Sequence, residues 1–226
     1  ISCSLVGSEM CIRDRYKNRF GSYKDIKIFG TNYKKMPLLR INPFSFPEDI
    51  HVLEHIDRLI EIFNVCWPMY AAMPAVLKDA VEHAYIAAGW NLENSECRYH
   101  DTHGNALYPS FIDVLNQINV VMDDSAYSSD SKGDYKGALC TRLKSLTNGL
   151  YGQIFTNDEL TAEELFDSNV IIDLSRTGSG ETKSLIMGLL VMKLQEYRMA
   201  GAGKGNAALQ HVTVPVSYTH LRAHET

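Results

Sequence analysis

The stretch NVIIDLSRTGSGETKSLIMGLLVMKLQEYR, Asn169 to Arg198, leaves few folds open. A run rich in β-branched residues, Val170 to Leu174, meets a Gly-rich polar turn. The apolar-rich segment behind it is too long for a strand and suits a helix. Strand, tight loop and helix form the unit in which α/β nucleotide-binding proteins place their chemistry. The loop closes on Lys183 and Ser184, the pair that ends a P-loop. A Walker A loop reads G-x-x-x-x-G-K-[ST], because its glycines let consecutive backbone N–H groups wrap a phosphate while the lysine reaches the β- and γ-phosphates. Counting back from Lys183 puts Thr177 and Thr182 where the glycines belong, and Gly178 and Gly180 fall out of register. The residues favour an ordinary strand-to-helix turn over a phosphate cradle.

Both ends of the chain resist this kind of reading. Leu5 to Asp14, LVGSEMCIRD, can be encoded by CTCGTGGGCTCGGAGATGTGTATAAGAGAC, and the reverse complement of that string encodes VSYTHLRAHE, Val216 to Glu225. An in-frame antisense pair at opposite ends resembles the transposase adaptor used to prepare short-read libraries. Residues 1–15 and 216–226 are therefore set aside as adaptor-derived, and both ends are expected to pack loosely. Removing them takes as many acidic as basic residues and leaves the net charge at −5. A mildly acidic chain has no global electrostatic footprint for nucleic acid, so any DNA contact must be local. Cys66, Cys97 and Cys140 remain, without a CxxC pair, which suits a reducing cytoplasm; no apolar run reaches membrane-span length.

Between these ends the chain alternates pattern. Short extended pieces at Asp25–Phe29 and Pro37–Ile41 precede the breaker INPFSFPED. A helix follows over Asp49–Val65, with Leu53, Ile56, Ile60 and Phe63 inward and His51, Glu54, Asp57, Arg58 and Glu61 on a solvated face. A second helix starts at Pro74 and stops at Gly89. Asn91 to Pro109 reads as a polar connection; its Cys97, His100 and His103 have metal-ligand chemistry but no fourth ligand, so a surface loop is the better account and no metal is expected. Ser110 caps a third helix to about Met122, SAYSSDSKGD reads as flexible, and a fourth helix covers Tyr135–Thr147 with Gly149 as its stop. Arg142 and Lys144 stand in its last turns, where cations suit the helix C-terminus. Thr161 to Glu164 has capping-box spacing, and Leu209–Val214 begins another buried strand.

The runs LLRINPFSFPEDIHVLEHIDRLIEIFNVCWPMY, ALCTRLKSLTNGLYG and Asn169–Arg198 together resemble the HerA-like bacterial ATPases of the HerA/FtsK superfamily, and the resemblance covers nearly all of Tyr16 to Val214. It implies an α/β fold, an incomplete P-loop NTPase (RecA-like) core with a mostly helical insertion: early core strands in 16–48, the insertion in 49–168 and a later strand–helix–strand in 169–215. In that family the Walker A loop lies upstream, an acidic motif is continued here by Tyr16–Gly21, and paired glutamates would begin where Pro215 and Val216 stand. The resemblance thus implies a fragment of a hexameric, cytoplasmic, DNA-moving motor that uses ATP and Mg²⁺ when complete. It implies no cofactor and no turnover for this chain alone. Loss of the P-loop strand is expected to leave open edges on Val170–Leu174 and a poorly soluble product. Arg142, Arg176 and Lys183 are the candidate cations, from a neighbouring subunit or toward the phosphate. The rival expectation is a non-catalytic helical interaction module.

Overall fold

The computed structural model describes residues 2–7, 26–31, 33–201 and 211–216. Three strands form where β-branched residues cluster: β2 (Ile26–Gly30), β5 (Asn169–Asp173) and β6 (His211–Val216). A fourth, β1 (Ser2–Gly7), lies in the segment set aside as adaptor-derived. All four pair in parallel in the order β2-β5-β1-β6, with Ile28 opposite Ile171, Ser4 opposite Val170 and Ser4 opposite Thr213.

This corrects two expectations. Ser2–Gly7 does not pack loosely, and β5 has no open edge. The reason is that main-chain N–H and C=O groups make the ladder, so a short extended segment can satisfy both neighbours through its backbone. Residues 8–15, 16–21 and 217–226 lie outside the described residues, as does most of the Gly-rich stretch after Gly201.

The helical region runs through α1 (Val52–Cys66), α2 (Met73–Ala87), α3 (Phe111–Asp124), α4 (Ser129–Thr147), α5 (Gly149–Ile154) and α6 (Ala162–Phe166), and α7 (Gly180–Ala200) follows β5. Pro74 lies in the first turn of α2, where its missing N–H costs nothing. Ser110 with Asp113, and Thr161 with Glu164, form reciprocal capping boxes at the starts of α3 and α6. α4 starts six residues earlier than its apolar pattern suggests. Ser128 caps it by accepting from the Ser131 N–H, so SDSKGD is helical without contributing a buried side chain.

Three further departures have local causes. Pro37–Ile41 is no strand: its N–H groups alternate between partners, Leu39 donating to Gly30 O and Ile41 to Ile154 O. Asn91–Pro109 holds a two-residue antiparallel hairpin, β3 (Trp90–Asn91) with β4 (Glu96–Cys97). On α1, Leu53 is exposed while Val52 and His55 are buried.

α1, α2, α3 and α4 pack in sequence, and α1 also lies against α7. One buried apolar cluster therefore joins the helices to the sheet, from Phe29, Val170 and Ile172 through Leu185 and Leu189 to Phe63, Leu77 and Ile118. Among the described residues no helix is long and apolar enough to cross a membrane.

Gly149 does not simply end α4. At φ +58° it turns the chain into α5, and a Cβ on Gly152 would collide with Thr147 O. Gly152→Ala is accordingly expected to destabilise the fold by about 1–3 kcal/mol, read as a lower urea midpoint at unchanged slope.

Candidate functional site

The Pro-flanked turn Asn42-Pro43-Phe44-Ser45-Phe46 is buried throughout. Its aromatic residues point to different partners: the Phe44 ring lies 5.1 Å from Phe111, and Phe46 lies 4.8 Å from His55, 5.0 Å from Trp90 and 5.4 Å from Tyr108. Its backbone needs polar partners that a short turn cannot supply by itself. Asn42 N donates to Glu159 Oε2 at 2.9 Å, and Asn42 Oδ1 accepts from Phe44 N at 3.0 Å. Lys193 of α7 donates to Asn42 O at 2.9 Å, Ser45 O at 3.1 Å and Ser45 Oγ at 2.5 Å, and pairs with Glu159 Oε2 at 3.1 Å.

A second polar cluster lies beside it. His55 of α1 and Glu196 of α7 have fully buried side chains. His55 Nδ1 is 2.9 Å from Glu196 Oε2, and His55 Nε2 is 3.1 Å from Pro43 O. Both ring nitrogens face acceptors, and only the doubly protonated ring donates to both. Arg58 donates to Glu196 Oε1 at 3.2 Å and also holds Glu54. Burial alone would raise the Glu196 carboxyl; hydrogen bonding and charge from His55, and then from Arg58, outweigh it and hold the group below the ordinary carboxylate value.

These clusters border a cavity of about 1070 Å³ whose walls include Ser45, Trp90, Tyr108, Glu159, Lys193 and Tyr197. Burial, followed by the hydrogen bond to Asp167, pushes the Tyr197 phenol up to about 12, and burial raises Tyr108. The Ser45–Lys193 contact has the look of a nucleophile and its base. Lys193 Nζ instead directs its donors to two backbone carbonyls, the Ser45 hydroxyl and the Glu159 carboxylate, which tie three segments together. The arrangement clamps elements together rather than activating a nucleophile.

The candidates read from the sequence stand elsewhere. Arg176 is exposed on the loop between β5 and α7, and Lys183 is half-buried in the first turn of α7, so these two flank one loop. Arg142 is on α4, which packs on α2, α3 and α5, and its guanidinium donates to Pro68 O at 3.4 Å. The loop itself is a capped turn: Ser179 Oγ accepts from Thr182 N, and Glu181 sets a carboxylate in the first helical turn, where a phosphate would have to approach. Cys97, His100 and His103 form no metal cluster, and no group of three metal-ligating side chains occurs among the described residues. Cys97 Sγ instead donates to Tyr99 O, and Asp101 accepts from the His103 and Asn105 N–H groups.

Sequence reasoning passed over Lys193, Glu159, His55 and Glu196. One signal was present: Glu196 falls on the same helical stripe as Leu185, Leu189 and Met192, and a carboxylate on an apolar stripe must find a buried partner. Removing that partner is the sharp test. His55→Ala is expected to cost about 3–5 kcal/mol, because it breaks a buried pair and leaves the Glu196 carboxylate with Arg58 as its remaining partner. The depressed Glu196 group contributes stability that is full above its unfolded value, about 4.3, and is lost as pH falls through the folded value. The melting midpoint of the wild type should therefore fall more steeply on acidification than that of Glu196→Gln, as followed by circular dichroism.

No protein-family model matches the chain, and no curated protein matches it. Among solved structures, VirB4 of Thermoanaerobacter pseudethanolicus is similar over 96% of this chain and 75% of that one, with a TM-score of 0.55 at 13% sequence identity. That likeness is one of fold: a mixed helix-and-strand α/β architecture extending across nearly the whole chain.

Proposed function

We propose that the chain is part of an ATP-driven motor of the HerA/FtsK kind, which assembles as a hexameric ring and moves or processes DNA. The carrying observation is a double likeness. The runs Leu38–Tyr70, Ala138–Gly152 and Asn169–Arg198 resemble HerA-like ATPases, and the fold is similar to that of VirB4, which supports a motor-ATPase-like origin. On this reading ATP and Mg²⁺ belong to the complete motor, where a Walker A lysine and Walker B carboxylates carry phosphoryl transfer to water. Neither signature occurs within the sequence of this chain.

Arg176 and Lys183 follow the carboxyl end of β5, the end at which open α/β sheets receive ligands. They would contact nucleotide phosphate or an adjacent subunit. Arg142, on the helical region, would act only across a subunit boundary.

Purified chain mixed with ATP and Mg²⁺ is expected to release phosphate at the background rate, with Lys183→Ala making no difference. Turnover abolished by Lys183→Ala would overturn this reading in favour of a degenerate P-loop. Sequencing the parent gene beyond both ends tests the motor assignment separately. A GxxxxGK[ST] upstream and a strand ending in paired glutamates downstream is the expected result. A stop codon shortly after Val214 would instead favour a helical interaction module.

A further inference from the structure

Three tyrosines from separate segments meet on the surface of the helical region. Tyr70 follows α1, Tyr127 lies between α3 and α4, and Tyr135 is on α4; the Tyr70 and Tyr135 rings are 6.3 Å apart and the Tyr127 and Tyr135 rings 5.7 Å, both edge to face. Tyr70 is 58% exposed and Tyr127 39%. The same ring geometry holds Phe44, Tyr85 and Phe111 in the core, where it excludes water. On the surface it keeps apolar area wet. Arg142 reaches this end of the row, donating to the carbonyl of Pro68.

At the other end, Tyr127 forms one wall of a cavity of about 600 Å³. Asp79, Glu82 and Asp124 line it, with His83 and Val121. Burial raises the Glu82 carboxyl, and Asp79 and Asp57 add to this against the nearby Lys78. A cation brought into the cavity would relieve that crowding.

We propose that this row and cavity dock an extended basic segment of a partner protein, one arginine or lysine entering the carboxylate-lined cavity against Tyr127 and apolar side chains crossing Tyr135 and Tyr70. Charge complementarity selects the occupant, since three carboxylates face the cavity against one imidazole, and Lys78, 3.9 Å from Glu82, offsets one of them. An aromatic face beside carboxylates also suits a guanidinium. Tyrosine and arginine are the side chains that most often anchor protein interfaces. A single-stranded nucleic acid would stack on such rings only along a basic groove, and these walls have the opposite sign. The inference does not depend on the motor reading.

Fluorescence anisotropy with a labelled peptide of alternating Arg and Leu, titrated with the full chain, tests it. Binding is expected, with Asp124→Lys and Tyr127→Ala each weakening it by about tenfold or more, while Glu48→Lys, which changes the same charge away from the cavity, leaves it unchanged. If Asp124→Lys lowers the melting midpoint, Asp79→Lys supplies the same reversal from α2. Equal binding of a Glu–Leu peptide, indifference to the cavity and ring variants, or displacement of the peptide by oligothymidylate would each overturn the proposal.

Discussion

The ammonium of Lys193 is the point on which the molecule's arrangement turns. α7 packs against α1 through apolar side chains, but apolar contact alone does not set where the buried turn Asn42–Phe46 must sit. Lys193 does, because its donors engage Asn42 O, Ser45 O and Ser45 Oγ, and it pairs with Glu159 from the stretch after α5. Glu159 in turn accepts from the Asn42 N–H. One side chain thus joins the helix behind β5, the turn before α1 and the approach to α6. Leaving any of these groups unpaired in the interior would cost about as much as a lost charged hydrogen bond, roughly 1.5–3 kcal/mol.

The His55–Glu196–Arg58 cluster extends the same logic one turn further along α7. Buried ion pairs add little net stability compared with apolar packing, since both charges give up their hydration. Their geometry is directional where apolar contacts are not. Together the two clusters make α7 and the helical region one body, and the continuous apolar core agrees.

The sheet shows a different economy of constraint. β5 is paired on both sides because β1 lies between it and β6. Strand pairing is made by the main chain, so the slot asks only for an extended backbone of suitable length. That is why a segment read as adaptor-derived from its coding pattern nevertheless stands as a strand.

Much of the local structure was legible in the residues. The apolar periodicities of α2 and α3, the cap at Ser110, the capping box at Thr161 and the β-branched run of β5 are properties of neighbouring residues, and all are as expected. The cavity borders, the buried charges and the β3–β4 hairpin were not. Lys193 meets Asn42 across 151 positions, and His55 meets Glu196 across 141. Periodicity says which face of a helix turns inward, but not what stands opposite it. The sequence by itself thus determined most of the helices and the β5 strand and excluded a regular P-loop at Lys183, since helix, cap and turn depend on short-range chemistry. Only the tertiary structure decided which polar groups the core would hold and which tyrosines would remain in water, because both follow from contacts between segments far apart in the chain.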